Sequence, residues 1–177
     1  EVFSGVAKGE KSVFCLTVGT GIGGSFILDG NVYRGNTGSA CEIGYMLDGN
    51  VSFQDRGSMK TLVDYIRNKK CDLSWTGERI FSSAKQGDPD CVEAIISMLD
   101  SLARGISNVC YVLNPKVVVL GGGFTGQGQW LEEEIRKNIK KYLLPIIFDN
   151  MEFKFALYKN DAGMIGAFYN FKNRQNL

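Results

Sequence analysis

The chain has 177 residues, 44% of them apolar and 22% charged, which is the composition of one folded globular unit and excludes a disordered tail. Twenty Lys and Arg against nineteen Asp and Glu leave a net charge of +1, so no global field draws it to nucleic acid or an anionic membrane. There is no histidine, which removes imidazole bases, His-dependent triads and imidazole metal ligands; catalysis must rest on carboxylates, backbone donors or lysines.

Residues 13–18 (VFCLTV) are apolar and β-prone; the glycine-rich run 19–24 (GTGIGG), residues 25–28, the pair Asp29-Gly30 and residues 31–33 complete a predicted β-meander. Residues 34–57 are rich in glycine and polar side chains and predict a long surface loop holding one strand at 43–47. From Ser58, a cap, the spacing of Leu62, Val63 and Ile66 is helical; a second helix opens at Thr76 and stops near Gly87. Asp88-Pro89 starts a long helix whose expected core stripe runs through Val92, Ile95, Ile96, Leu99, Leu102, Ala103, Ile106, Val109 and Cys110. After Asn114-Pro115, residues 116–120 (KVVVL) have the continuous apolar character of a strand buried on both faces, followed by Gly121, Gly122 and Gly123. An amphipathic helix at 129–142, a strand at 151–157 and a helix at 161–171 capped by Asp161 close the chain. The predicted fold class is α/β, a mixed sheet with a β-meander, covered by helices.

The five cysteines (Cys15, Cys41, Cys71, Cys91, Cys110) form no close pair and read as free thiols of a reducing compartment. No apolar run approaches the roughly 20 residues of a membrane-spanning helix, and no charged-then-apolar leader opens the chain, so the expected location is the cytoplasm, with no membrane partner. The chain starts at Glu1, just ahead of its first strand, which suggests a piece cut from a longer protein.

Three segments could carry chemistry. Gly19, Gly21 and Gly24 formally match the dinucleotide fingerprint GxGxxG, but that fingerprint needs a helix after the glycines, and here SFILDGNVY continues as strand and turn. What remains is either an anion nest of converging N–H groups with the Thr20 hydroxyl beside it, or a plain bulged hairpin. Gly121 to Gly123, at the C-terminal end of a buried strand, are either a close-approach site for a ligand or a tight strand-to-helix loop. Glu42, in the loop GNTGSACEIGYM, can accept hydrogen bonds from sugar hydroxyls, or is a solvated surface charge.

Taken together, these segments resemble the ROK family (repressors, open reading frames and kinases) of the actin-like, ribonuclease-H-like ATPase superfamily. GTGIGG is similar to its second phosphate loop, and GNTGSACEIGYM to its G-x-x-G-x-A-G-E-x-G-H sugar motif. LARGISNVCYVLNPKVVVLGGG and NDAGMIGA are similar to its adenosine-side segments. The resemblance implies that Thr20, Gly21, Gly23 and Gly24 hold ATP phosphates and that Gly121, Gly122 and Gly123 flank the nucleoside. It further implies that Glu42 binds sugar hydroxyls, and that Mg-ATP supplies a phosphoryl group to a monosaccharide or glycoside hydroxyl. The partners implied are a sugar, ATP and a second copy of the chain in a homodimer, with no direct nucleic-acid contact.

Three departures qualify the carry-over. Tyr45 stands where the family has a histidine that binds sugar and zinc. The cysteine cluster CxCGxxGCxE has no counterpart near residues 48–60, where the second sugar-contacting Glu becomes Gln54 in one register and Lys60 in another. No zinc or other bound metal site is therefore expected, and the loop is expected to be shaped by packing of Phe53 and Met46. Finally, the family's first phosphate loop and catalytic Asp precede the present Glu1, so residues 1–177 are expected to form the C-terminal lobe of a kinase, without catalytic base and inactive alone. The alternative is the sugar-sensing effector domain of a ROK-type transcriptional repressor. Asp161 reads as a helix cap, not a base.

Overall fold

A computed structural model describes residues 1–174. Five strands form one mixed sheet in the order β3-β2-β1-β6-β7. The first three, β1 (Ser12–Val18), β2 (Ile22–Leu28) and β3 (Asn31–Val32), are the antiparallel meander. Next to β1 lies β6 (Val117–Gly121), and next to β6 lies β7 (Glu152–Phe155), both parallel to β1. Parallel pairing requires a crossover, and the long stretch between β2 and β6 supplies it with helices. These are α1 (Gln54–Gly57), α2 (Met59–Lys70), α3 (Gly77–Lys85) and α4 (Pro89–Leu113). The chain continues with α5 (Gln129–Tyr142), α6 (Pro145–Phe148) and α7 (Ala162–Arg174).

Side chains alternate across the strands, so each strand feeds two cores. Phe14, Leu16 and Val18 of β1, with Val118 and Leu120 of β6, join the large core formed with α2 to α5. Val13, Ile27, Val117 and Val119 face the other way, into a small cluster with Ala7 and Ala156. All five β6 residues are buried, as its unbroken apolar run predicts.

The caps behave as the sequence predicts. Ser58 Oγ accepts from Thr61 N at 3.2 Å, Thr76 Oγ1 from Arg79 N at 3.3 Å, and Asp88 Oδ1 from the Asp90 and Cys91 amides. Asn114 ends α4 in the left-handed conformation with φ 43°.

Three expectations are corrected. The strand expected at 43–47 is a 3-10 turn, Ile43–Tyr45, followed by a separate hairpin of β4 (Leu47–Asp48) and β5 (Val51–Ser52). The segment lies against β2 at Ile22 but spends its amides on itself, Tyr45 N donating to Glu42 O and Met46 N to Ile43 O, which closes a turn instead of a ladder. In α4, Val92 and Ile96 are exposed, the latter 59%, because Cys91, Ala94, Ile95, Met98 and Leu99 fill the face toward the core. The final helix begins one residue later than expected: Asp161 closes a 3-10 turn, Lys159–Asp161, that leads into α7.

Candidate functional site

The pairing of Val18 with Ile22 leaves a three-residue loop, Gly19-Thr20-Gly21, between β1 and β2. Gly19 N–H donates inward to Gly21 O at 2.9 Å. Gly19 O accepts from Met59 N (3.0 Å) and Lys60 N (3.4 Å), the first amides of α2, which have no acceptor within the helix. The loop is therefore bolted to the start of α2. The Thr20 and Gly21 amides make no backbone hydrogen bond among the described residues, and both residues line a cavity of about 580 Å³.

Beside this loop, at the end of β6, the chain turns sharply. Register places Thr17 opposite Gly121, so the two glycine groups sit together at the C-terminal ends of adjacent parallel strands. This is where open α/β sheets bind ligands. Gly122 has φ 117°, and a Cβ there would stand 2.1 Å from Val18 O. Only glycine satisfies both the dihedral and the approach. Gly122 O then accepts from Thr125 N (3.1 Å) and Thr125 Oγ1 (2.8 Å), which fixes the outgoing 3-10 turn. Gly123 leaves its backbone bare, since a Cβ there would meet nothing within 4 Å.

Glu42, Tyr45 and Gln54 line the same cavity from the loop side. Glu42 immediately precedes the 3-10 turn and its carbonyl accepts from Tyr45 N at 3.2 Å. Tyr45 is 70% exposed, so its hydroxyl is available to a ligand. Gln54 opens α1, and its Oε1 lies 2.8 Å from where a Gly21 Cβ would sit and 3.1 Å from that of Gly44. Its carboxamide thus spans the glycine turn and the 42–45 loop.

A charged cluster behind the cavity holds this loop. Asp48 of β4 accepts from Arg104 Nη2 at 2.9 Å, Arg104 Nε at 3.2 Å and Ser101 Oγ at 2.8 Å. Arg104 also pairs with Asp100, whose other oxygen accepts from Tyr142 OH at 2.6 Å. The Arg104 hydrogen bonds hold the Asp48 carboxyl below the usual carboxylate range against the opposing effect of burial. The bond to Asp100 pushes the Tyr142 phenol up. Phe53 is fully buried on α4 at Gly105, and Met46 packs against the same core, as expected for a loop shaped by packing. Among the described residues, no three His, Cys, Asp or Glu side chains gather as metal ligands.

Of the residues singled out in the sequence, Thr20, Gly21, Gly23, Glu42, Tyr45, Gln54, Gly122 and Gly123 share this cavity. Gly24 and Gly121 lie outside it. Gly24 is covered by Cys41 O, Phe14 and Ile43, and Gly121 faces a second cavity of about 650 Å³ on the other face of the sheet. Lys60, the other register for the second sugar contact, is paired with Asp64 on the outside of α2. Lys159, Ala162 and Gly163 complete the cavity wall. Lys159 carried no signal in the sequence, because its place depends on where β7 ends.

The sequence matches the ROK family over residues 1–174. An uncharacterised protein of Clostridium perfringens is 42% identical, over 99% of this chain and 60% of its own length. A glucokinase of Halalkalibacterium halodurans is 28% identical, over 99% of this chain and 61% of its own. The crystal structure of a ROK family protein from Streptococcus pneumoniae in complex with sucrose superposes with a TM-score of 0.85 at 27% identity, over 95% of this chain and 60% of that one. The chain thus spans about 60% of the length of the curated relatives it matches. With the mixed sheet, the two glycine turns and the Glu42 loop in place, the actin-like ATPase lobe expected from the sequence is the fold observed, and the chain belongs to the ROK family.

Proposed function

We propose that this chain is the nucleotide- and sugar-binding C-terminal lobe of an ATP-dependent sugar kinase, acting on a monosaccharide or glycoside hydroxyl. One observation carries the reading: the glycine turns ending β1 and β6 open on one cavity that Glu42, Tyr45 and Gln54 also line. The Thr20 and Gly21 amides would receive phosphate oxygens, and the bare backbone at Gly122 and Gly123 would lie along the nucleoside. Glu42 would accept two hydroxyls of the sugar, with Tyr45 and Gln54 as further polar contacts. Magnesium would travel with the phosphates and neutralise their charge.

In phosphoryl transfer the protein mostly positions reactants and stabilises charge. Here the bolt from α2 to Gly19 and the Gln54 bridge hold phosphate turn and sugar loop in one geometry. Glu42 is the one carboxylate lining the cavity among the described residues, and with it committed to sugar hydroxyls the proton acceptor is assigned to a second lobe. The chain alone would bind but not transfer. The glucokinase likeness and the sucrose-bound relative favour a hexose or glycoside acceptor over other alcohols. The repressor alternative draws no specific support from the site.

Titration calorimetry with AMPPNP and magnesium tests this. The chain should bind the analogue. Gly21→Val, which sets a branched side chain beside the open amides and pushes the Gln54 carboxamide aside, should cost tenfold or more. Glu42→Gln should weaken monosaccharide binding by about tenfold while leaving the nucleotide affinity intact. No analogue binding, or an unchanged Gly21→Val affinity, would place the nucleotide elsewhere.

A further inference from the structure

Among the described residues, five non-glycine residues have positive φ, and three of them sit at ordinary turn or helix-end positions. Asp29 lies in the Asp-Gly turn between β2 and β3, and Cys71 and Asn114 end α2 and α4; Cys41, with φ 67°, lies in the loop over Gly24, away from the cavity lining. The fifth is Lys159, with φ 46°, at the opening of the 3-10 turn before α7. A lysine gains nothing locally from this conformation: it has neither glycine's freedom nor the short polar side chain that lets Asn or Asp bond to its own backbone.

Its surroundings offer no structural return for that strain. No ion pair or side-chain hydrogen bond among the described residues uses the Lys159 ammonium. Lys159 lines the cavity that receives the open amides of Thr20 and Gly21, where it is the one cationic residue among the described lining residues, and it also borders the cavity of about 650 Å³. Beside it on the same wall are Ala162 and Gly163, the first residues of the thirteen-residue α7, whose opening amides lack acceptors within the helix. Strain held at a ligand cavity and unexplained by packing points to function.

We infer that Lys159 is a phosphate-binding residue of this chain, its ammonium placed to neutralise the phosphate chain of the bound nucleoside triphosphate opposite the Thr20-Gly21 turn. The assignment rests on the nucleotide reading above and extends it to a residue outside the glycine turns.

The test uses Lys159→Gly, Lys159→Gln and Lys159→Arg in the full chain, with AMPPNP, ADP and adenosine titrated by calorimetry at two salt concentrations. Lys159→Gly should raise Tm, because glycine relieves the dihedral, yet weaken AMPPNP binding by about tenfold and flatten its salt dependence. Lys159→Gln should weaken AMPPNP comparably, Lys159→Arg should retain most of the affinity, and adenosine should bind all four proteins alike. Equal AMPPNP affinity across wild type, Lys159→Gly and Lys159→Gln would overturn the role of Lys159 while leaving the nucleotide site standing. A parallel loss of adenosine binding would make Lys159 a structural element of the cavity wall instead. Failure of wild type to bind AMPPNP at all would overturn both readings.

Discussion

Asp48 and Arg104 are 56 residues apart in sequence, and their bond fastens a two-stranded hairpin with little apolar contact of its own to the longest helix. With Arg104 removed, Asp48 and Asp100 would both lose their hydrogen-bonded cation, so Arg104→Ala costs more than deletion of either carboxylate. The pH consequence follows from the direction of the shift. The folded-state pKa of Asp48 lies below the ordinary 3.8. Its contribution is therefore complete above about pH 4 to 5 and is lost as pH falls through the lower folded value. Asp48→Asn should lower stability near neutrality by about 1–3 kcal/mol and make the acid limb of the stability curve shallower. Chemical denaturation from about pH 2 to pH 7 measures this; parallel acid limbs in variant and wild type would show that the carboxylate adds nothing.

Helix starts are the other organising device. The first turn of α2 has two tasks: Ser58 caps it through Thr61 N, and the Met59 and Lys60 amides grip Gly19 O. Removing the cap loosens both. Ser58→Ala should cost about 1 kcal/mol in global stability, and because Ser58 is buried, the effect should appear as well in a weaker AMPPNP affinity through the loosened glycine turn. Loss of stability with unchanged nucleotide affinity would mean that the turn holds its shape without α2. The larger helices were legible because their signals are local: Ser58, Thr76 and Asp88 begin them, and Asn114 and the following Pro115 end the longest. The turn at 43–45 and the β4–β5 hairpin were not, since short apolar pieces take their structure from whatever edge is vacant nearby.

Across the molecule, the two faces of the sheet are unequally packed. One meets four helices; the other meets the opening segment and α7, where Phe3 and Tyr169 stack at 5.1 Å, Tyr158 OH bonds to Ser4 O at 2.9 Å and the Glu1 carboxylate accepts from Tyr158 N at 3.0 Å. The cavity of about 650 Å³ lies on this second face, lined in part by Val2, Ile27, Val119 and Ala167. No helix among the described residues is long and apolar enough to cross a membrane. Opening free energy should therefore grade from the centre of the sheet outward: amides of β1 and β6 should exchange with deuterium slowest, and those of β3, β4 and β5 by orders of magnitude faster. Hydrogen exchange read by mass spectrometry checks this, and equal protection in the β4–β5 hairpin and in β6 would contradict it.

Strand character and helix caps depend on interactions within a few residues, so composition and spacing sufficed to recognise them, and VFCLTV and KVVVL became β1 and β6; spacing left the roles of Thr20, Gly122 and Glu42 open, the family resemblance joined them, and all three line one cavity. Which neighbour in a pair faces that cavity depends on register instead. Gly23 lines it while Gly24 is covered by Cys41 O, because successive strand residues point to opposite faces and only pairing with β1 says which is which. The Asp48–Arg104 bond and the left-handed Lys159 belong to the same class. Each arises where segments distant in the chain meet, and the free energy that holds them exists only once the sheet and α4 are packed.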